Sequence, residues 1–203
     1  MGNTTGLRHG ALGVSCRHIC VDMQRMFLED TPWKMPWMGR VLPKAVELVA
    51  AQPARTIFTR FIPARHPGEG EGTWRQYYRR WHAMTLSEIG DDMVDIVAPL
   101  QRFTPPAAVL DKKVYSPWHT AELDSRLRHE GVDTLAISGG ETDVCVLATV
   151  LGAVDRGYRV VIAADALCSS SDEAHDASMT VYATRYGQQV ETASTEDILR
   201  AWS

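Results

Sequence analysis

The chain has no Cys-x-x-Cys pair, no long apolar run and no excess of positive charge, and each absence removes a class of function. Its four cysteines, Cys16, Cys20, Cys145 and Cys168, are too few to frame a chain of 203 residues with disulfides. Cys16 and Cys20 stand four apart at the entry to a strand, where a bridge along one strand is sterically awkward. All four therefore read as thiols in a reducing compartment, which points to the cytoplasm. No apolar stretch approaches the roughly 18 residues that would cross a bilayer, so no membrane contact is expected. The formal net charge of -4 supplies no basic field for nucleic acid. Residues Met1 to Ser15 lack an apolar core before a small-residue cleavage site. They predict no signal peptide, and residues 1–17 read as a flexible N-terminal arm. Internal repeats and low-complexity tracts are also missing, which excludes solenoids and arrays.

What is present is an alternation of short apolar runs and amphipathic stretches. Strands are predicted at His18 to Val21, Thr56 to Thr59, Ala107 to Leu110, Thr134 to Ser138, Arg159 to Ala164 and Gln188 to Thr192. Helices are predicted at Pro43 to Ala51, Thr120 to Glu130, Thr142 to Arg156, Ser171 to Tyr186 and Ser194 to Trp202. Pro43 suits an early helical position, and Gly131 and Gly157 stop the helices before them. Strand alternating with helix argues for a three-layer α/β fold. A doubly wound, mainly parallel six-stranded sheet would carry helices on both faces. Residues 18–203 read as one such domain.

The rhythm breaks between residues 61 and 104. Glycines at 68, 70 and 72 mark a mobile loop, followed by a run rich in Trp, Tyr and Arg. A connection this long is expected to be an insertion: a lid, a specificity loop or a subunit contact.

Ligands in doubly wound sheets sit beyond the carboxyl ends of the strands. Three chemically capable positions follow strands here. Asp22 ends the first, Lys112 follows the third, and the Gly139-Gly140 turn leads into a helix that carries Cys145 near its start. Free backbone N–H groups at a helix start favour negative charge, so they are expected to lower the thiol pKa and to stabilise an oxyanion. An acid at a buried strand end can take the thiol proton and return it to a leaving amine. A lysine beside it can hold the carboxylate ionised. Each residue alone has a plain structural role available: core cysteine, helix cap, solvated strand-end lysine.

Three blocks carry a resemblance. Val21-Asp22-Met23-Gln24, then Lys112-Lys113-Val114-Tyr115-Ser116-Pro117-Trp118, then Gly140-Glu141-Thr142-Asp143-Val144-Cys145-Val146 resemble the signature blocks of the isochorismatase-like hydrolases. Their order and spacing agree over roughly Ile19 to Val190. The resemblance selects Lys112 over Lys113, three residues before an aromatic. It implies a Cys145, Asp22 and Lys112 catalytic triad acting on a small amide, carbamoyl or ureido compound through a thioester, with no cofactor. It also implies an oxyanion hole from the backbone N–H groups of Glu141 and Cys145, and a cis peptide at Gly140-Glu141. A homodimer or homotetramer is implied as well. Phe27 stands where relatives put an aromatic against the substrate. Gln24, Arg60, Tyr115 and Trp118 are further candidates for substrate contact, Arg60 as a partner for a carboxylate.

The chain departs from the family pattern in informative places. Glu141 occupies an oxyanion-hole position that often carries a small residue. Nicotinamidases carry an Asp-x-His metal site after the second strand, where this chain reads Thr59-Arg60-Phe61-Ile62. No metal is therefore expected. The family's isochorismatases lack the nucleophilic cysteine, so Cys145 favours amides over isochorismate. Two other rivals are a thiol peroxidase, from Thr142-Asp143-Val144-Cys145, and a non-catalytic binding protein on the same fold.

Overall fold

The computed structural model describes residues 7–202. Six strands alternate with helices in chain order. They are β1 (Cys16–Val21), α1 (Arg25–Leu28), α2 (Met38–Ala51), β2 (Thr56–Phe61), α3 (Trp74–Arg80), α4 (Leu86–Ile89), α5 (Ala98–Gln101) and β3 (Ala108–Lys112). They continue as α6 (Glu122–His129), β4 (Thr134–Gly140), α7 (Cys145–Asp155), β5 (Arg159–Cys168), α8 (Asp172–Arg185), β6 (Val190–Ala193) and α9 (Thr195–Ala201).

All strand pairs are parallel, in the order β3-β2-β1-β4-β5-β6. The chain builds outward from β1 to β3, then returns to lay β4 against the other side of β1. That reversal is a topological switch point, where a crevice opens beyond the carboxyl ends of the strands.

Period-two alternation along the strands feeds two apolar layers. Ile19 and Val21 of β1, with Ile57, Leu135 and Ile137, pack against Leu123, Leu127, Val146, Val150 and Tyr182 from α6, α7 and α8. Cys20 and Phe58 face the other way, against Met38, Val41, Ala45 and Val49 of α2. Ala136, Val161 and Ala163 cover α9 residue Ile198 and Trp202. Both faces of the sheet are thus buried, as a parallel sheet requires, and the three-layer doubly wound prediction stands.

Several boundaries differ from the sequence reading. The described part of the expected arm is docked: Leu12 is fully buried, bridges Trp202, and donates its N–H to Ala201. Arg8 and His9 donate backbone N–H groups to Glu191. These contacts have sequence separations above 180, invisible to local pattern. Residues 1–6 of that arm lie outside the described residues. Pro43 lies inside α2, which starts at Met38. β5 runs to Cys168 because its register against β4 shifts between Ile137 and Gly139, which pair with Ile162 and Leu167.

The 61–104 segment is also more ordered than its glycines suggest. It folds into α3, α4 and α5 with short 3₁₀ turns between them. Tyr78, Met84, Ile96, Val97 and Leu100 are buried against Met23, Met26 and Phe58, a core that offsets the cost of ordering the connection. Gln24 fastens this layer to the sheet. Its amide donates to the Phe61 and Val94 carbonyls at 3.0 and 2.8 Å, and its oxygen accepts the Phe61 N–H at 2.7 Å.

Candidate active site

Asp22 follows β1 with its backbone in the left-handed region, φ 51°. Acids tolerate that conformation better than branched residues, and such strain concentrates at sites with a job to do. Its N–H donates to the Thr59 carbonyl at 3.2 Å, in the neighbouring strand. The carboxylate then accepts two hydrogen bonds, from Thr59 Oγ1 at 2.6 Å and from Lys112 Nζ at 2.7 Å. Gly139 makes this approach possible, since a Cβ there would come 2.1 Å from the Val21 carbonyl oxygen.

Lys112 closes β3, two strands from Asp22, and reaches across the end of β2. Its Nζ lies 5.2 Å from the Phe61 ring centroid and also donates to the Val114 carbonyl at 3.3 Å. Lys113, on the opposite side of the strand, is exposed.

Cys145 is the first residue of α7, not the fourth as the pattern predicted. Residues 141–144 are held out of the helix by partners elsewhere. The Thr142 N–H and Oγ1 donate to the Cys168 carbonyl, and the Thr142 carbonyl accepts the Tyr182 hydroxyl at 2.8 Å. Cys145 Sγ sits 3.4 Å from Lys112 Nζ. Asp22, Lys112 and Cys145 are 1%, 6% and 6% exposed, so the three groups meet with little water. The Gly140-Glu141 peptide is cis. The N–H groups of Glu141 and Cys145 make no hydrogen bond to any described side chain or loop carbonyl.

The electrostatics correct one expectation. Burial pushes the Cys145 thiol well above its ordinary pKa, the Asp22 carboxylate pushes it further, and the Lys112 ammonium offsets only part. Desolvation thus opposes the help that a helix start gives a thiolate. Burial works against the Lys112 ammonium, yet the Asp22 carboxylate prevails and raises its pKa.

A cleft opens onto Cys145, lined by Phe27, Trp33, Phe61, Tyr77, Tyr115, Glu141 and Val144. Trp33 anchors this wall, with ring centroids 6.3 Å from Phe27, 5.9 Å from Phe61 and 5.8 Å from Tyr77. Of the substrate-contact candidates, Phe27 and Tyr115 line the cleft. Gln24 is occupied with its backbone partners and is fully buried. Arg60 turns away into a bidentate pair with Asp111, at 2.7 and 2.8 Å. The two residues face each other in register on β2 and β3, so the guanidinium is satisfied by its neighbour. Trp118 lies under α7, where Gly152 leaves room for its ring and the Thr149 carbonyl accepts its indole N–H at 2.9 Å.

Thr59, Trp33, Phe61 and Tyr77 were missed as site residues. Thr59 and Phe61 carried one usable signal, since both stand at the end of a strand beside β1. Trp33 and Tyr77 carried none, because their places depend on how long connections fold back.

Thr59-Arg60-Phe61, at the end of β2, does not fit a metal. It offers a guanidinium already paired and an aromatic ring, and no group of three His, Cys, Asp or Glu among the described residues could hold an ion.

Comparison with known proteins agrees with this architecture. Residues 16–194 match the family model described as the isochorismatase domain. An isochorismatase family protein of Bacillus subtilis is 30% identical over 104 residues, covering 50% of this chain and 57% of its own. The ureidoacrylate amidohydrolase of Methylobacterium radiotolerans is 33% identical over 108 residues, covering 53% of this chain and 40% of its own. The matched stretches thus span about half the length of these relatives. A solved cysteine hydrolase from Pseudomonas syringae superposes with a TM-score of 0.79 at 26% identity, covering 92% of each chain. The switch-point crevice, the all-parallel strand order and a family match over nearly the whole chain lead to one assignment: this chain belongs to the isochorismatase family of hydrolases, which includes amidohydrolases.

Proposed function

We propose that this protein hydrolyses the C–N bond of a small amide, carbamoyl or ureido compound through a Cys145 thioester. The observation that carries the reading is the contact of one thiol with one buried ion pair. Cys145 Sγ, Lys112 Nζ and Asp22 Oδ2 are joined at 3.4 and 2.7 Å, and Cys145 lines a cleft.

The chemistry follows from those positions. Substrate fills the cleft and displaces water. The Cys145 proton passes to the Asp22 carboxylate while Sγ bonds to the carbonyl carbon. The carbonyl oxygen becomes an oxyanion, received by the N–H groups of Glu141 and Cys145 at the start of α7. The C–N bond breaks as Asp22 returns the proton to the departing nitrogen. A water then gives its proton to Asp22 and attacks the thioester. The S–C bond breaks, the acid leaves, and the proton on Asp22 goes back to sulfur. Lys112 holds Asp22 ionised between these transfers, and Thr59 orients it. A general base close to the nucleophile suits this scheme, since it can take the thiol proton as the attack begins.

The thiol peroxidase reading is disfavoured by the same observation, because it needs a cysteine poised as thiolate and leaves Asp22 and Lys112 without a role. A homodimer or homotetramer in the cytoplasm belongs to this proposal, on the resemblance and the four free thiols. Sedimentation velocity measures the assembly.

The test is ammonia release from a panel of small amides, carbamoyl compounds and ureides, with wild type beside Cys145→Ala. Release that vanishes in the variant supports the proposal and gives the substrate class. A panel without turnover, together with a Cys145 that iodoacetamide does not modify, would move the reading to a binding protein.

A further inference from the structure

We infer that the cleft selects substrates whose body carries a positive charge, that it rejects carboxylates, and that Glu141 sets this preference. The inference rests on the reading of this cleft as the substrate site.

The residues that meet there decide its charge. Five aromatic rings, from Phe27, Trp33, Phe61, Tyr77 and Tyr115, form the wall. Glu141 lines the same cleft. Burial raises the pKa values of the Tyr77 and Tyr115 hydroxyls most, and the Glu141 carboxylate lies near enough for its charge to raise them further. Its described partners are the Ser170 hydroxyl and N–H, which are neutral. Burial pushes its carboxyl above the usual range, the Ser170 hydrogen bond opposes that, and the charges of Asp143 and Asp22 push it further. Asp143 accepts from the Ser169 hydroxyl. No described Lys, Arg or His lies within ion-pair distance of Glu141 or Asp143. The ammonium behind Cys145, Lys112, is committed to Asp22 at 2.7 Å.

The cations that could have received an anion are engaged elsewhere. Arg60 is held by Asp111 and lies 3.6 Å from Asp95. Arg80 lines only the outer groove beyond Tyr77 and Tyr115, and stacks on Trp81 at 5.4 Å. An anionic substrate would therefore enter beside an unpaired carboxylate and leave its own charge unmatched. A cation would gain the ring faces and the carboxylate together, the combination that recognises ammonium groups. The small residue expected at position 141 would leave the wall neutral, so the Glu141 side chain is the specificity-determining departure.

The experiment measures binding of benzylammonium, benzyl alcohol and benzoate to the wild-type protein by calorimetry at neutral pH. The three probes share a ring and differ in charge. Benzylammonium is expected to bind about tenfold or more tighter than benzoate, with benzyl alcohol between them. Glu141→Gln, checked by its melting temperature, should bring the first two within about threefold and leave benzyl alcohol unchanged. Benzoate binding as tightly as benzylammonium, no binding by any probe, or an unchanged ratio in folded Glu141→Gln would each overturn the inference. If the variant does not fold, the wild-type order alone decides. Para-substituted benzamides carrying aminomethyl or carboxylate then separate the two readings. Cation-selective binding without any amide turnover would sink the hydrolase and leave the selectivity standing.

Discussion

Two ion pairs sit on the same sheet, one buried and one partly buried, and they differ in what surrounds them. Arg159 and Glu191 pair at 2.7 Å between β5 and β6. Backbone groups surround that pair. Glu191 also accepts the backbone N–H groups of Arg8 and His9, and Arg159 donates to the Gly10 and Ala11 carbonyls at 2.8 and 3.1 Å. This pair staples residues 8–11 to the edge of the sheet. Lys112 and Asp22 pair at the same 2.7 Å, but beside a thiol and under an open cleft. A buried pair is weak evidence for stability by itself. Its meaning comes from whether it is saturated by backbone or leaves a reactive group within reach.

That contrast can be broken by substitution. Asp22→Asn should lower turnover by roughly 10⁴-fold or more in kcat, since the base of the proposed scheme is lost. Steady-state kinetics checks it, and a variant with near wild-type kcat would remove Asp22 from the mechanism. Lys112→Met should destabilise the fold by about 3–5 kcal/mol, because it strands a buried carboxylate. Adding Asp22→Asn to Lys112→Met should recover most of that stability in urea denaturation while activity stays absent. The double variant thereby separates the structural cost from the chemical one.

Glu191→Gln tests the saturated pair. It should cost about 2–3 kcal/mol and leave kcat near wild type at temperatures where the variant is folded. A large loss of kcat in a folded Glu191→Gln would erase the distinction between the two pairs. The Glu191 pKa is lowered: burial opposes the shift, but Arg159 and the two backbone donors prevail. Its contribution is therefore present above the ordinary glutamate pKa and is lost as pH falls through the lowered value.

The smallest effect belongs to His18, on the strand that Asp22 follows but at the sheet interior. It is fully buried against Ser138 Oγ at 2.8 Å and Thr56 Oγ1 at 3.4 Å. Burial lowers its pKa from 6.5 to about 3. The folded state holds it neutral, so the unfolded chain binds the extra proton between these values. Stability is intact above pH 6.5 and falls by about 1.4 kcal/mol per unit below it, from this residue alone. Urea midpoints from pH 7.5 to 5 measure the slope, and His18→Gln should flatten it. An unchanged slope in that variant would assign the acid sensitivity elsewhere.

The layer order and the strand ends were legible because they rest on short-range pattern. Alternation of apolar runs with helical stretches predicts a parallel sheet, and Asp22, Lys112 and the Gly139-Gly140 turn each follow a strand in that pattern. The substrate wall was not legible. Arg60 looked like an anion receptor until its in-register neighbour Asp111 was seen to take it. Trp118 looked like a wall until Gly152 was seen to admit its ring beneath α7. The glycines at 68, 70 and 72 suggested mobility, while the aromatics after them built a packed layer.

The sequence by itself determined the doubly wound layout and which chemical groups arrive at its carboxyl edge, because both follow from periodicity and chain order. Only the tertiary structure decided that burial pushes the Cys145 thiol pKa up, that the cations near the cleft are spent on other partners, and that residues 8–11 are stapled down. Those outcomes depend on burial and on contacts between residues tens to hundreds of positions apart, and charge and desolvation act through space, not along the chain.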